Sequence, residues 1–293
     1  MDTFFARTLQ WSARCGAAAL LVLASICGAQ GQNPAGPQGQ MGGGIPSQSM
    51  VGAGGTMTDQ LQYGTLGHEL QREQDAAYKA FVKEPEPVRK IQLGDTFLKK
   101  YPKSPFEEQI DVGMMNAYRE RKDWKDAYRF GDSALVLEPD DVDVLTICSW
   151  TIAHVSDPKD PDHEEQLTKA ETYAKHALDV LSKLKKPKDL TDEQFASAKS
   201  MRQFQTHSAL GLVYFRRNDY DNSAKELAQA TKDNPTPDPT DLFILGVDFQ
   251  NLSRYAEAAE SFGRCSKIAG PLQDRCKQGA DSATNVASQS KAN

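Results

Sequence analysis

The sequence predicts an all-α fold, an array of antiparallel helix pairs stacked in chain order. Three observations predict it. From about residue 67 to the C-terminus apolar residues recur at helical spacing, and no alternating run is long enough for a strand; Val142-Asp-Val-Leu145 is too short and sits inside a helical period. Prolines punctuate these stretches where a helix has to stop. Aromatic and small residues then return in a common frame in three segments, 108–141, 204–237 and from 239 onward. Composition agrees with a chain that buries a thin seam. Of 293 residues 39% are hydrophobic and 25% charged. No run of about 20 apolar residues occurs, so a multi-pass helical membrane protein is not expected. With 40 acidic against 34 basic residues the net charge is -6, which disfavours nucleic acid as a partner, because phosphate contacts need clustered Lys and Arg.

The elements follow in order. Residues 1–29 read as a secretory signal peptide. Arg7 and Arg14 precede the apolar run from Gly16 to Ile26, and Gly28 and Ala29 offer small residues before a cut ahead of Gln30. An exported protein, periplasmic or secreted, is therefore expected. A lipid anchor at Cys27 would need a small residue before it, and Ile26 stands there. Membrane association is expected only if Cys27 is lipidated all the same. Removing this segment leaves Cys148, Cys265 and Cys276 in a compartment that permits a disulfide. Residues 30–66 are rich in Gly, Gln, Pro and Ser and poor in large apolar side chains, so they read as a disordered linker.

The helical domain is expected over residues 67–288. Residues 67–105 form a degenerate first pair, with Leu70, Ala77, Tyr78 and Phe81 on one helix and Val88, Ile91, Phe97, Leu98 and Tyr101 on the other. Ser104-Pro105-Phe106-Glu107 has the order of an N-cap, a proline and an acidic third residue, so the next helix is expected to start there. Residues 108–141 make the second pair. Residues 142–187 make a third whose turn is replaced by an insertion, His154 to Glu165, and whose second helix reaches about Lys185. A capping box at Thr191 and Gln194, with Leu190 and Phe195 at staple spacing, opens a long helix to about Arg217. That helix leads into the pair 204–237. Asp238-Pro239 opens the pair 239–271, a capping helix covers 272–288, and residues 289–293 are a tail.

Three pairs share one frame. Tyr118 is followed by Trp124, Ala127, Ala134 and Pro139. Leu210 and Gly211 lead to Tyr214, Tyr220, Leu227, Ala230 and Pro235. Leu245 and Gly246 lead to Phe249, Tyr255, Ala258, Phe262 and Cys265, with Pro271 one place late. Tyr118 to Trp124, Tyr214 to Tyr220 and Phe249 to Tyr255 are each six apart, and the steps to Ala134, Ala230 and Cys265 are each sixteen. This frame resembles the tetratricopeptide repeat (TPR), a helix-turn-helix unit of about 34 residues. The resemblance implies a right-handed superhelical solenoid. Small residues would admit close helix crossings, aromatics would fill the gap to the next unit, and the last helix would shield the end of the stack.

Candidate chemistry is sparse. His68, His154, His163, His176 and His207 form no pair at metal-ligand spacing, so no metal is assigned. Asp157, Asp160, Asp162 and Glu164 are interrupted by Pro158 and Pro161 and lack the Gly of a calcium loop, so they read as a solvated acidic loop. No phosphate-binding loop or nucleophile elbow occurs; no catalytic residue, no cofactor and no enzymatic activity are assigned. Cys148 on an apolar helix face reads as a small core residue. Cys265 and Cys276 stand on neighbouring helices joined by Ala269-Gly-Pro271. They are either a disulfide or two reduced cysteines at Ala-like positions.

The resemblance implies a non-enzymatic scaffold that binds a protein or peptide on the face made by first helices. Matching positions put Asn116, Arg119, Trp150, Phe215, Phe243 and Gln250 there. Trp150, Phe215 and Phe243 either anchor an apolar partner segment or pack between repeats. The family's carboxylate clamp is not expected, because the repeats beside Asn116 and Arg119 lack the matching Asn and Lys. The stretch Phe97-Leu-Lys-Lys-Tyr-Pro-Lys-Ser-Pro105 resembles repeat ends of outer-membrane assembly TPR lipoproteins, which points to the bacterial cell envelope. An accessory module of an envelope enzyme or carbohydrate-processing complex and a purely structural spacer are the alternatives. The first would need clustered carboxylates in a cleft.

Overall fold

The computed structural model describes residues 57–292, with side chains for 68–289. The signal peptide, Cys27 and most of the expected linker lie outside the described residues. Those described are helices joined by turns, with no strand among them. In chain order the helices are α1 (Met57–Lys83), α2 (Pro87–Lys100), α3 (Glu107–Glu120), α4 (Trp124–Leu137), α5 (Val142–Val155) and α6 (His163–Lys183). They continue as α7 (Asp192–Arg216), α8 (Tyr220–Thr231), α9 (Pro239–Asn251), α10 (Tyr255–Cys265) and α11 (Gln273–Ala292). None is long and apolar enough to cross a membrane. The contacts part the chain between Glu73 and Gln74; the first unit is described only as the helical stretch 57–73, and the stacked helices belong to the second.

Each helix after α2 packs on its neighbours in sequence, and the first helices α5, α7 and α9 also pack on one another. The buried side chains accordingly form a series of clusters along the chain. Phe81, Phe97, Ile110, Met114 and Leu145 belong to one, and Ile152, Leu167, Ala170 and Leu210 to the next. Leu227, Leu245, Phe249 and Phe262 form a third. A stack needs only such a seam between neighbours, which the modest apolar content can supply.

The repeat frame has a physical meaning at two contacts. Between first and second helices, Lys122, Asn218 and Ser253 occupy the left-handed region at φ 61°, 60° and 59°. Each lies four residues after the frame aromatic, Tyr118, Tyr214 or Phe249. The next residue's N–H, from Asp123, Asp219 or Arg254, donates to that aromatic's carbonyl at 2.9, 2.9 and 2.7 Å. This is the Schellman closure of a helix, made three times in one register. The second contact is the helix crossing. A Cβ on Gly211 would come within 2.4 Å of Leu227 Cγ, and one on Gly246 within 2.7 Å of the Phe262 ring. In the second pair the sizes are exchanged: Met115 stands on the first helix and Gly131 on the second, where an added Cβ would meet Cys148 Sγ of the next helix at 2.4 Å and Met115 Sδ at 3.2 Å. The partners are sixteen residues apart in all three pairs, so a large and a small residue share one slot. Ala134, Ala230 and Ala258 are buried on the second helices. This is the packing that the TPR resemblance implies.

Helix ends follow local chemistry. Asp141 accepts from the N–H groups of Asp143 and Val144 at 2.9 and 3.0 Å, capping α5. Thr191 and Gln194 form a reciprocal capping box on α7, at 3.0 and 3.2 Å. Asp238 caps α9 through Thr240 N–H at 2.8 Å, ahead of Pro239. Cys265 and Cys276 form a disulfide between α10 and α11, with Cα atoms 5.7 Å apart.

Four sequence expectations need correction. The first helix begins at Met57, inside the segment read as linker, because the Gly-rich run ends at Gly55 and Asp59-Gln-Leu-Gln62 can extend a helix already nucleated downstream. Leu70 and Val88, read as part of the apolar pattern of the first helix pair, are 54% and 40% exposed. Ser104 does not cap α3: its hydroxyl accepts from Phe106 N–H at 3.1 Å and from the Gln74 amide, and the helix starts only at Glu107, after Phe106 has stacked on Tyr78 at 4.2 Å. The last helix runs on to Ala292, through most of the expected tail, since its end, with Ala287 and Ala292, carries no Gly or Pro to break it.

Candidate functional site

The inserted segment after α5 builds one wall of a cleft. From Ser156 the chain passes Pro158 and Pro161, whose fixed φ angles keep it short, and enters α6 at His163. The Ser156 hydroxyl and His163 Nδ1 lie 2.7 Å apart and close this loop on itself. The cleft encloses about 410 Å³ between this loop, the end of α7 and the start of α9. Leu212, Phe215 and Ile244 supply its apolar surface; His154, His163, Arg216, Asn218, Thr240 and Pro158 complete its lining. An acidic loop in sequence thus serves as a wall in the fold. Part of the signal was present in charge alone: Arg217 ends the long helix, and Glu164 and Glu171 one repeat earlier complement it.

Two arginines hold the wall in place. Arg217 pairs with Glu164 and Glu171 on α6 and bonds to the Thr168 hydroxyl at 2.9 Å. Arg216 caps the C-terminus of α5. Its Nε, Nη1 and Nη2 donate to the carbonyls of Ala153, Ser156 and His154 at 2.9, 2.8 and 3.2 Å. These carbonyls carry the negative end of the α5 dipole, which suits a cation. Burial lowers the pKa of Arg216 from its ordinary value, an effect that the charge of Asp157 opposes. No carboxylate lies within ion-pair distance of Arg216 among the described residues.

His154 Nδ1 donates to the Trp150 carbonyl at 2.8 Å, and its ring lies 3.9 Å from the Trp150 ring. Burial lowers its pKa, so the ring is neutral near pH 7 and Nε2 is a buried, unpaired acceptor. Asn218 sits in the left-handed turn after α7; its Oδ1 accepts from the Tyr220 hydroxyl at 2.9 Å.

The six residues read from sequence as a partner face are only partly brought together. Phe215 lines the cleft and meets Tyr220 edge-on at 6.3 Å. Trp150 is half-buried beside the cleft, under His154. Phe243 packs edge-on against Phe262 at 5.6 Å, so it joins repeats. Asn116 is buried, and its Oδ1 accepts from Arg119 at 2.9 Å. Gln250 is half-buried and does not line the cleft. Of the other histidines, His176 pairs with Asp140 and His207 with Glu226, both at 2.7 Å, and His68 is exposed. Among the described residues no group of three or more His, Cys, Asp or Glu is arranged to hold a metal ion. Burial pushes the Cys148 thiol up to about 12, which leaves it inert as a nucleophile.

Carboxyls withdrawn from water mark α9, α3 and the N-cap of α5. Asp241 accepts from the Ser208 hydroxyl at 2.8 Å and Asp248 from Ser223 at 2.6 Å, tying α9 to α7 and α8. Burial pushes both carboxyls up to about 7. Glu108, also desolvated and close to Asp141 and Glu138, is raised to about 7; Asp111 and Asp141 are raised to about 6, mainly by burial.

No family model matches the chain, and no curated protein does. Two solved structures align with most of it. A thermophilic TPR protein of Thermus thermophilus, TTC0263, is 16% identical over 73% of this chain and 98% of its own, with a TM-score of 0.42. PilW, described as a widely conserved type IV pilus biogenesis factor, is 13% identical over 76% of this chain and 93% of its own, with a TM-score of 0.46.

Proposed function

We propose that the chain is a non-enzymatic scaffold that holds a polypeptide partner against its first helices, and that it works in the bacterial cell envelope after export. The cleft carries the first part of this reading. Phe215 and Ile244, half-buried at an open cavity, leave surface that a partner can still cover. The helix-pair stack supplies a rigid support on either side. The export signal read at residues 1–29 supports the second part.

Phe215→Ala tests the reading, because Phe215 lines the cleft without being a large fully buried side chain. The folded variant, checked by far-UV circular dichroism, is expected to capture at least several-fold less of the wild type's cross-linked partner from envelope extract. Equal capture by a folded variant would refute the proposal. Changing Trp150, Phe215 and Phe243 together is a poorer test, because Phe243 also holds Phe262.

A further inference from the structure

The cleft has a chemical polarity beyond its apolar floor. Arg216 spends three of its five N–H groups on carbonyls, leaving one on each terminal nitrogen. Asn218 and Thr240 also line the cavity, and neither the Asn218 amide NH2 nor the Thr240 hydroxyl donates to another protein group. No carboxylate is among the lining residues, although the chain as a whole is acidic. An apolar floor therefore stands beside a rim that carries the Arg216 cation, offset in part by the charge of Asp157, together with Asn218, Thr240 and one acceptor, His154 Nε2.

We infer that this cleft takes a peptide segment presenting a bulky apolar side chain next to a carboxylate. The side chain covers Leu212, Phe215 and Ile244, and the carboxylate accepts from Arg216 and Asn218. A cation beside an apolar surface is matched by an anion joined to an apolar group, and charge-assisted hydrogen bonds outweigh neutral ones. The inference rests on the scaffold reading and adds the partner's local chemistry. The inserted loop is what distinguishes this cleft, since Pro158 and His163 form its wall and Ser156 accepts one bond of Arg216.

The test uses the full exported chain, labelled with 15N, and two blocked tripeptides, acetyl-Gly-Phe-Asp-amide and acetyl-Gly-Phe-Asn-amide. Saturable shifts are expected at the amides of Leu212, Asn218, Thr240 and Ile244, with the Asp peptide binding about tenfold more tightly. Arg216→Gln should level the two peptides, Arg216→Lys should keep most of the difference, and Ile244→Trp, which fills the floor, should abolish both. If Arg216→Gln unfolds α5, the lysine and tryptophan variants still decide. Decanoate is the third probe: tighter binding of decanoate with no saturable peptide binding would overturn the peptide assignment. Equal affinities of the two peptides, or a preference that survives in Arg216→Gln, would also overturn it. These outcomes leave the scaffold reading standing, since capture of the partner by the wild type and not by Phe215→Ala is measured separately.

Discussion

At the scale of single residues, the three Schellman turns carry the sharpest prediction. Lys122 and Ser253 hold left-handed backbone that costs a side chain roughly 1 kcal/mol and costs glycine little. Lys122→Gly and Ser253→Gly are each expected to raise stability by about 0.5–1 kcal/mol, read from urea midpoints; a loss would mean that their side chains contribute more than the strain costs. Asn218→Gly should gain less, because asparagine tolerates this conformation. The sequence disclosed the turns' positions through the aromatic frame but not their backbone. Lysine, asparagine and serine stand where glycine would have announced the conformation. The Arg216 cap was hidden for a different reason: its acceptors are carbonyls some sixty residues earlier, and backbone acceptors leave no mark in sequence.

At the scale of helices, the shared slot makes a size exchange testable. Gly211→Leu alone should overpack against Leu227 and cost about 1–3 kcal/mol, overriding the better helix propensity of leucine. Leu227→Gly alone should open a cavity and cost more. The double variant copies the arrangement of Met115 and Gly131, and it should be more stable than the sum of the single changes allows. Additive losses would contradict the slot. The slot was legible only in part: Gly211 with Leu227 and Gly246 with Phe262 stood in the frame, whereas Met115 and Gly131 did not, because the exchange takes the small residue away from the first helix. The disulfide belongs to the same scale. Cys265→Ser should destabilise the chain by about 2–3 kcal/mol in chemical denaturation, since it releases a loop closed by residues eleven apart. No loss would mean that α11 holds its place by packing alone. The acidic insertion was the element misread: charge and prolines suggested a solvated loop, while its role as a wall depends on Arg216 and Arg217 from a later repeat.

For the whole molecule, four buried carboxyls and the half-buried Glu108 set the pH response. In the folded chain Glu108, Asp241 and Asp248 keep their protons to about 7, and Asp111 and Asp141 to about 6; their ordinary values are 4.5 for Glu and 3.8 for Asp. Between those limits the folded state binds more protons than the unfolded one, so raising the pH favours unfolding. Their stabilising contribution is complete below about pH 4 and is lost as the pH rises through 7. Glu171 and Glu257, lowered against burial by hydrogen bonds from basic side chains, act in the opposite sense at the acid end. The melting temperature should therefore be higher at pH 5 than at pH 8, and Asp248→Asn should flatten that slope; a rise from pH 5 to pH 8 would contradict the burial of these groups. None of this was legible in sequence, because an aspartate at a helical core position looks like one on a surface until its neighbours are known. The order of helix pairs was legible, since it depends only on local spacing. The central claim is that the first helices, around the cleft, meet the partner. A photo-cross-linking scan of the exported protein in the native envelope tests it most directly, with the reactive side chain at Phe215 or Asn218 on one side and at the exposed Lys225 or Gln229 of α8 on the other. Capture of one polypeptide from residues 215 and 218, and none from 225 and 229, is the expected result; capture from α8 alone would contradict the claim.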